Sequence, residues 1–278
     1  METIAETVEK KAVAAEGACR ALAAASTETK NIALLKTAEA LLKNEKKILD
    51  ANLLDMEDGA KTGLSKAMLD RLMLDSRRVR QMAEGLNAVV CLDDPVGEIT
   101  ETRAMPNGLE VSRMRVPIGV IAVIYESRPN VTIEASSLCL KSGNAVLLRG
   151  GSEAMRSNII LARMISNGLA DAGLPSSAVQ IVETPDRQAV LEIIRQSEHV
   201  DLVIPRGSEE FVKYIKQESR VPVIGHGSGN CHVYVDASAD LEMAEDIIFN
   251  AKTQRPGVCN SAEKLLVHSS IAEKFLPE

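Results

Sequence analysis

The residues best suited to chemistry lie in a turn near the end of the chain. A single cysteine, Cys259, follows Gly-Val and precedes Asn, between a predicted helix (240–252) and a short apolar strand (264–268). Loops held between rigid elements commonly carry catalytic groups. Gly257 permits tight backbone geometry just before the thiol, and small polar residues after it leave N–H groups available to a reacting carbonyl oxygen. We interpret Cys259 as a nucleophile. The alternative is a half-buried cysteine that only packs within the turn.

Composition limits the classes of function. A chain of 278 residues can form one large domain or two smaller ones. It contains no Trp, three Tyr and three Phe, so the core must be aliphatic, and stacking surfaces for single-stranded nucleic acid are not expected. A net charge of −7 also argues against nucleic acid as a partner, but a locally basic pocket for an anionic substrate remains compatible with it.

Cysteine usage and hydropathy indicate the compartment. The five cysteines are widely spaced and form no CxxC pair, which favours reduced thiols in a cytoplasmic protein over disulfides or a metal site. The N-terminus lacks the apolar core of a signal peptide, and the longest apolar run is too short to span a membrane. Cys19, Cys91 and Cys139 fall on helical runs and are expected to pack there, and Cys231 is expected to be a buried strand residue.

The elements that must position Cys259 fall into four predicted segments. Residues 1–96 read as helices, with Ser26 or Thr27 as an N-cap, breaks at Gly59 and Gly63, and a last helix capped by Ser76. Residues 97–117 predict a β-hairpin around Asn107-Gly108, stable only if it lies on something else. Residues 118–225 predict a nucleotide-binding α/β domain, and 226–278 the beginning of a catalytic domain.

The third segment alternates apolar strands with helices. Strands are predicted at 119–126, 145–149, 179–183 and 200–206, and helices at 131–141, 153–171, 187–196 and 209–218. This pattern predicts the α/β class, with a parallel sheet covered on both faces. Ligands bind such sheets at the carboxyl ends of the strands, where the loops here are 125–130, 150–153, 183–187 and 206–209.

Two of these loops suit a phosphate or a ribose. Arg149 to Glu153 joins a strand to a long helix, and Gly207-Ser208 opens another helix. Backbone N–H groups at a helix N-terminus favour an anion. Neither loop is GxGxxG or a P-loop, and an ordinary N-cap is the alternative for each.

Several longer motifs carry a family resemblance. They are Gly63-Leu64-Ser65, Leu69-Asp70-Arg71-Leu72, Asp94-Pro95-Val96-Gly97, Val116-Pro117-Ile118-Gly119-Val120, Tyr125-Glu126-Ser127-Arg128-Pro129-Asn130-Val131-Thr132, Lys141-Ser142-Gly143-Asn144, Arg149-Gly150-Gly151-Ser152-Glu153, Cys231-His232-Val233-Tyr234-Val235-Asp236 and the Cys259 turn. Over essentially its whole length the chain resembles the aldehyde dehydrogenase superfamily, and within it the γ-glutamyl phosphate reductase branch of proline biosynthesis.

The resemblance implies roles for individual residues. Cys259 matches the nucleophile, and Arg149 takes the place of a lysine near the adenine ribose. Gly151, Ser152 and Glu153 follow as cofactor-binding residues, and Gly207-Ser208 match the loop that meets the pyrophosphate. The hairpin matches oligomerisation strands, which implies a homo-oligomer, and association with glutamate 5-kinase is a further implied partnership.

The implied reaction is the NADPH-dependent reduction of L-glutamate 5-phosphate to the 5-semialdehyde through a cysteine thioester. The Cys259 N–H and Asn130 would hold the oxyanion. Arg128 and Arg255 would bind the phosphate or α-carboxylate of the substrate, although each could be a solvated surface arginine. Lys252 and Arg255 are the nearest cations in sequence that could lower the pKa of the thiol.

Cofactor choice is a separate inference. Arg149 and Arg156 could meet a 2′-phosphate, which Glu153 would repel if it faced inward. The resemblance implies NADPH.

One departure bears on the direction of the reaction. Oxidising members carry a glutamate that activates hydrolytic water, whereas the corresponding position here falls near Val223, and residues 221–234 contain no acid. The sequence therefore favours reduction. An oxidising aldehyde dehydrogenase is one alternative.

The family is longer than this chain, so a truncated, non-catalytic nucleotide-binding fragment is another. In that case the sheet around 231–268 would be incomplete and would expose an apolar face.

Overall fold

The computed structural model describes residues 2–225, 229–254, 256, 258 and 260–277. It divides the chain into two compact units, 1–225 and 226–278. The first unit contains the N-terminal helices, the hairpin and the four-stranded parallel sheet together. The functional division into four segments stays a prediction.

Five helices precede the sheet, and local side chains explain where they begin. They are α1 (Ile4–Ala24), α2 (Thr27–Lys43), α3 (Glu45–Lys61), α4 (Lys66–Leu72) and α5 (Ser76–Val90). Thr3 and Glu6 form a capping box on α1, and Ser26 caps α2 as the sequence predicted. Two predicted boundaries are wrong. The N-cap of α5 is Asp75 and not Ser76. The break predicted at Gly59 lies instead at Asn44, between α2 and α3, and Gly59 is inside α3. Glycine suits this helical position because the Leu64 side chain packs where a Cβ on residue 59 would lie.

The predicted hairpin is confirmed. Strands β1 (Ile99–Ala104) and β2 (Glu110–Met114) pair antiparallel. Gly108 occupies a left-handed conformation in the turn, with φ 82°, which explains the Asn-Gly signal. Nearly all hairpin side chains are exposed, and they include the apolar Ile99, Val111 and Met114. The hairpin therefore presents apolar as well as polar residues to its surroundings.

The predicted parallel α/β sheet is also confirmed. Its strands are β3 (Val120–Tyr125), β4 (Ala145–Arg149), β5 (Val179–Ile181) and β6 (Leu202–Arg206), in the order β5-β4-β3-β6. Every residue of β3 and β4 is buried, as uninterrupted apolar strands require. The intervening helices are α6 (Asn130–Lys141), α7 (Met155–Asp171), α8 (Gln188–Arg195) and α9 (Glu209–Glu218). The N-terminal helix α1 also packs on β3, β4 and β5, so the helical segment helps to cover the sheet.

The second unit is a small β-α-β arrangement. Strand β7 (His232–Val235) pairs parallel with β8 (Lys264–Val267), with α10 (Leu241–Thr253) between them and α11 (Ser269–Phe275) after them. Its buried core consists of Val235, Ala244 and Phe275. Large apolar side chains remain exposed on it: Tyr234, Met243, Ile247, Phe249, Leu265 and Leu266. The apolar face that the sequence predicted to be exposed is confirmed.

Cysteines and hydropathy complete the description. The described cysteines are all free thiols, as expected. Cys139 is buried, which raises its pKa to about 12. Two of the predictions for cysteines are wrong. Cys91, expected to pack within a helix, lies just after α5 and is exposed. Cys231, expected to be a buried strand residue, precedes β7 and is only partly buried. Across the described part of the chain, none of the helices combines the length and apolar character needed to cross a membrane.

The contact between α2 and α7 gives a test of packing. A methyl group on Gly168 of α7 would lie 2.8 Å from the Ala33 carbonyl oxygen and 2.9 Å from the Thr37 nitrogen of α2. Because these are backbone atoms, Gly168→Ala is expected to lower the free energy of unfolding by about 1–3 kcal/mol, measured by urea denaturation. Gly17→Ala is the control. It lies in α1 with open space around it and should stabilise the chain by about 0.5–1 kcal/mol. Equal effects of the two variants would contradict this account of the contact.

Candidate functional site

The strand order creates a crevice at one edge of the sheet. The chain moves from β3 to β4 and β5 on one side, and then crosses to β6 on the other side of β3. The carboxyl ends of β3 and β6 therefore flank a topological switch point, where open α/β sheets bind ligands. The loops that follow β3 and β6 begin at Glu126 and Gly207, and they approach closely, because a Cβ on Gly207 would lie 3.1 Å from the Glu126 carboxyl carbon.

A carboxylate joins the loop after β3 to the loop after β4. Glu153 accepts hydrogen bonds from the backbone N–H and the hydroxyl of Ser127, each 2.6 Å long. Ser127 is held at φ 41°, a left-handed conformation that non-glycine residues seldom adopt. A Cβ at Gly151 would collide with the Glu153 carboxylate, so glycine leaves room for the contact with Ser127. The structure thus gives Glu153 a defined contact inside the protein.

The same edge carries interacting charges. Partial burial of the Glu126 carboxyl raises its pKa, and the negative charge of Glu153 raises it further. Arg187 and Arg71 act in the opposite direction. Glu126 in the loop after β3 is therefore acted on by one carboxylate and two guanidinium groups.

Arg149 ends β4 and is buried, with 7% of its surface exposed. Its guanidinium donates to the carbonyl oxygens of Gly150 (2.7 Å), Pro185 (3.2 Å) and Asp186 (3.3 Å). Burial lowers its pKa, and Glu153 partly opposes that effect. Its buried Nε has no hydrogen-bond partner. Arg149 therefore ties the end of β4 to the loop that follows β5.

Arg156, the second cation considered for a 2′-phosphate, is paired within the protein. Its guanidinium lies 3.2 Å from the Asp55 carboxylate and 2.9 Å from that of Asp58. Asp55 is buried and also accepts hydrogen bonds from the backbone N–H and the hydroxyl of Ser157. These contacts fasten the start of α7 to α3.

The predicted phosphate loops differ in what they present. Ser208 accepts a hydrogen bond from the Phe211 N–H and caps α9, so the ordinary capping role is present. Gly207 and Ser208 are both exposed. Ser152 is also exposed, at the start of a single 3₁₀ turn that precedes α7. Gly150 is packed, because a Cβ there would meet Asn158 and Tyr125.

The substrate residues predicted in the first unit lie in or beside the loop after β3. Arg128 is partly buried within that loop. Asn130 opens α6, is also partly buried, and donates a 2.7 Å hydrogen bond to Glu134. The structure thus brings Arg128, Asn130, Glu153 and Gly207 to one edge of the sheet.

Cys259 and Arg255 lie outside the described residues, as do Gly257 and His226. The end of the cysteine turn is described and is attached to α10. The Ala262 N–H and the Ser261 hydroxyl both donate to the Ala251 carbonyl oxygen, at 3.0 and 3.3 Å. Lys252, predicted to act on the thiol, donates to the Ala262 carbonyl oxygen at 2.9 Å. Ser261 and Ala262 are therefore held against the helix that precedes the turn.

The position expected for a hydrolytic glutamate is structural in this chain. Val223 forms a parallel bridge with Val203 of β6, and the Ile224 N–H donates to the Val203 carbonyl oxygen. Within the described parts of the chain, no group of three His, Cys, Asp or Glu side chains is arranged to hold a metal ion.

Comparison with known proteins places this chain in a family. The model of the aldehyde dehydrogenase family matches residues 2–278. The chain belongs to the aldehyde dehydrogenase family. The family implies a nicotinamide cofactor, and the exposed loops at the switch point and the unpartnered Nε of Arg149 are compatible with a dinucleotide at this edge.

The resemblance to γ-glutamyl phosphate reductases is also confirmed. The chain is 54% identical to the γ-glutamyl phosphate reductase of Halothermothrix orenii and 51% identical to that of Geobacter metallireducens. Each match covers 99% of this chain and 66% of the relative. The crystal structure of the Thermotoga maritima γ-glutamyl phosphate reductase matches with a TM-score of 0.89 and 47% identity, over 97% of this chain and 65% of that one. The chain thus spans slightly less than two thirds of these aldehyde dehydrogenase family members.

Two features of the edge were missed at the sequence level. The Ser127–Glu153 contact depends on a left-handed backbone that no local signal in Glu-Ser-Arg-Pro announces. Arg187 is part of no motif that distinguishes it, although its loop, 183–187, is one of those predicted at the carboxyl ends of the strands.

Proposed function

We propose that the protein is an NADPH-dependent acyl-phosphate reductase that converts L-glutamate 5-phosphate to L-glutamate 5-semialdehyde and phosphate, as a cytoplasmic enzyme of proline biosynthesis. The observation that carries the proposal is the similarity to γ-glutamyl phosphate reductases at 51–54% identity over 99% of the chain. The switch-point edge supports it, because it gathers Arg128, Asn130 and the Gly207-Ser208 loop on one side of a sheet of the dinucleotide-binding type.

The proposed chemistry begins at Cys259. Its thiolate forms a bond to the acyl carbon while the carbon–phosphate oxygen bond breaks, and inorganic phosphate leaves. A bound nicotinamide supplies the hydride that reduces the resulting thioester. When the carbon–sulfur bond breaks, the aldehyde is released and the thiolate is regenerated. The Cys259 N–H and the Asn130 amide would hold the oxyanion, and Arg128 and Arg255 would bind the substrate's phosphate or α-carboxylate.

The absence of an acid between residues 221 and 234 supports the reductive direction. Without a base to activate water, the thioester is not hydrolysed before hydride reaches it. The acyl group of the substrate is therefore reduced and not lost to hydrolysis. The oxidising alternative would need such a base.

The first unit supplies the candidates for holding the cofactor. Gly207 and Ser208 would meet the pyrophosphate at the start of α9, and Gly151 and Ser152 would line the adenosine end beside Arg149. Glu153 would act by fixing Ser127, since its carboxylate is engaged there. In this arrangement the Glu153 carboxylate accepts hydrogen bonds from Ser127 and would not itself bind the cofactor.

We also propose homo-oligomerisation through the hairpin, with association with glutamate 5-kinase as a further partnership. The exposed Ile99, Val111 and Met114 support self-association, because a two-stranded ribbon with apolar side chains on its surface is unstable when it stands alone. Sedimentation with and without hairpin substitutions would test this.

The experiment that tests the function runs the reaction in reverse. Glutamate semialdehyde and NADP⁺ are supplied with and without inorganic phosphate, and NADPH absorbance is followed. We expect NADPH formation only with phosphate, because the thioester requires phosphate as the acyl acceptor. Formation that continues without phosphate would identify an oxidising aldehyde dehydrogenase instead.

A second candidate function is a nucleotide-binding chain that does not turn over. The exposed Met243, Ile247 and Phe249 of α10 favour it, because they leave the second unit without a complete core. Binding of NADP⁺ without NADPH formation under either condition would establish this candidate.

A further inference from the structure

Arg187 occupies a fixed place beside the end of β4. It lies in the loop that follows β5, the strand next to β4, and immediately precedes α8. Its side chain is exposed. The end of β4 is where sheets of this topology place the adenosine ribose of a dinucleotide, so a cation beside that point is well situated to meet a 2′-phosphate.

The backbone that carries Arg187 is held by several hydrogen bonds. The Arg149 guanidinium donates to the Pro185 and Asp186 carbonyl oxygens, which precede Arg187 directly. The Asp186 carboxylate accepts a 2.8 Å bond from the Gln188 N–H, which fixes the start of α8. Buried Arg149 is therefore a positioning residue for the loop of Arg187.

Three other cations near this loop are committed elsewhere. Arg149 is buried among backbone carbonyls, Arg156 pairs with Asp55 and Asp58, and Lys11 of α1 pairs with Glu183 at 3.6 Å. Among the residues that the structure describes, Arg187 has no carboxylate within ion-pair distance.

The field of Arg187 reaches the carboxyl edge. Its positive charge contributes to the lowered pKa of Arg149 and counters the rise in the pKa of Glu126. Asp186 and Glu153 act on Arg149 with the opposite sign, and the Glu153 carboxylate is already engaged by Ser127. A phosphate at this edge would meet repulsion from these acids unless a guanidinium faced it.

We propose that Arg187 binds the 2′-phosphate of NADPH and so selects NADPH over NADH. A planar guanidinium can donate two parallel hydrogen bonds to phosphate oxygens, which gives geometric selectivity as well as charge attraction. The inference rests on the proposed function, because it concerns the cofactor of the same site. It assigns the selectivity to a residue other than Arg149 and Arg156, the two arginines suggested by the sequence.

The test measures dissociation constants for NADPH and NADH from the fluorescence of the bound dinucleotide. The absence of Trp from the chain keeps the protein background low. Arg187→Gln is expected to weaken NADPH binding by about 10- to 100-fold, the loss typical of a charged hydrogen-bonding partner, and to leave NADH binding unchanged. Arg187→Lys should recover only part of the NADPH affinity, because lysine keeps the positive charge but cannot donate two parallel hydrogen bonds to the phosphate.

Arg195→Gln is the matched control. Arg195 ends the same helix, lies 3.9 Å from Glu218, and should affect neither dinucleotide. Equal weakening of NADPH and NADH by Arg187→Gln, or no weakening of either, would overturn the assignment while leaving the proposed function in place. Failure of the wild-type chain to bind either dinucleotide would remove the nucleotide-binding function and the assignment together.

Discussion

Cys259→Ala is expected to lower phosphate-dependent NADPH formation by at least about 10³-fold, because removal of a covalent nucleophile leaves only binding and oxyanion contributions. The turn from Thr253 to Glu263 contains no other sulfur that could take over the acyl group. Initial rates of NADPH formation from glutamate semialdehyde, phosphate and NADP⁺ give the measurement. NADPH binding should be retained, since the proposed cofactor contacts lie on the sheet of the first unit.

A second cysteine provides the control. Cys231→Ala removes a partly buried thiol of the same unit, which lies just before β7 and has no proposed role in the reaction. It should keep most of the activity. If Cys259→Ala remained active, or if both variants lost activity together with nucleotide binding, the assignment of Cys259 as the nucleophile would fail.

The elements of the sheet were predictable because their signals are local and strong. Uninterrupted apolar runs such as Val120–Tyr125 form strands buried on both faces, and Asn107-Gly108 sets the hairpin turn. The helix boundaries that failed depended on tertiary context. Gly59 remains helical because its lack of a side chain lets the Leu64 side chain pack against it, and the carboxylate of Asp75 takes the cap that Ser76 was expected to provide.

The candidate site was predictable in its location and not in its contacts. The parallel strands put the loops of Arg128, Asn130 and Gly207 at the same edge of the sheet. The direction of each side chain depends on partners distant in sequence. Arg149 turns toward carbonyl oxygens 36 and 37 residues away, and Glu153 turns toward Ser127, 26 residues earlier. No periodicity in the sequence encodes such pairings.

Replacement of Asp94 by asparagine is expected to destabilise the first unit by about 3–5 kcal/mol, because it leaves a buried charge without its partner. The Lys30 side chain has no exposed surface, and its ammonium lies 2.5 Å from the Asp94 carboxylate, which is 9% exposed. The Thr27 hydroxyl and the Val96 N–H donate to the same carboxylate. This cluster links α2 to the segment between α5 and the hairpin. Urea denaturation followed by circular dichroism gives the free energy of unfolding.

Two comparisons separate the buried pair from a general effect of charge. In the double variant Lys30→Met with Asp94→Asn no unpaired charge remains, so it should be more stable than Asp94→Asn alone. Glu39→Gln breaks the exposed pair with Lys36 on the same helix and should destabilise the chain far less than Asp94→Asn. A double variant that is less stable than Asp94→Asn would refute the idea that the stranded charge causes the loss.

The dependence on pH follows from the same contacts. Burial opposes ionisation of Asp94, but the hydrogen bonds from Lys30, Thr27 and Val96 outweigh it and hold the pKa of Asp94 below its ordinary value. A carboxyl with a lowered pKa in the folded state contributes its full stability above the unfolded value of about 3.9 and loses it as the pH falls through the folded value. The stability difference between wild type and Asp94→Asn should therefore stay constant near neutral pH and shrink below about pH 4. A difference that instead grew with acidification would mean that the pair does not stabilise the carboxylate, and the link between α2 and the hairpin segment would then rest on packing alone.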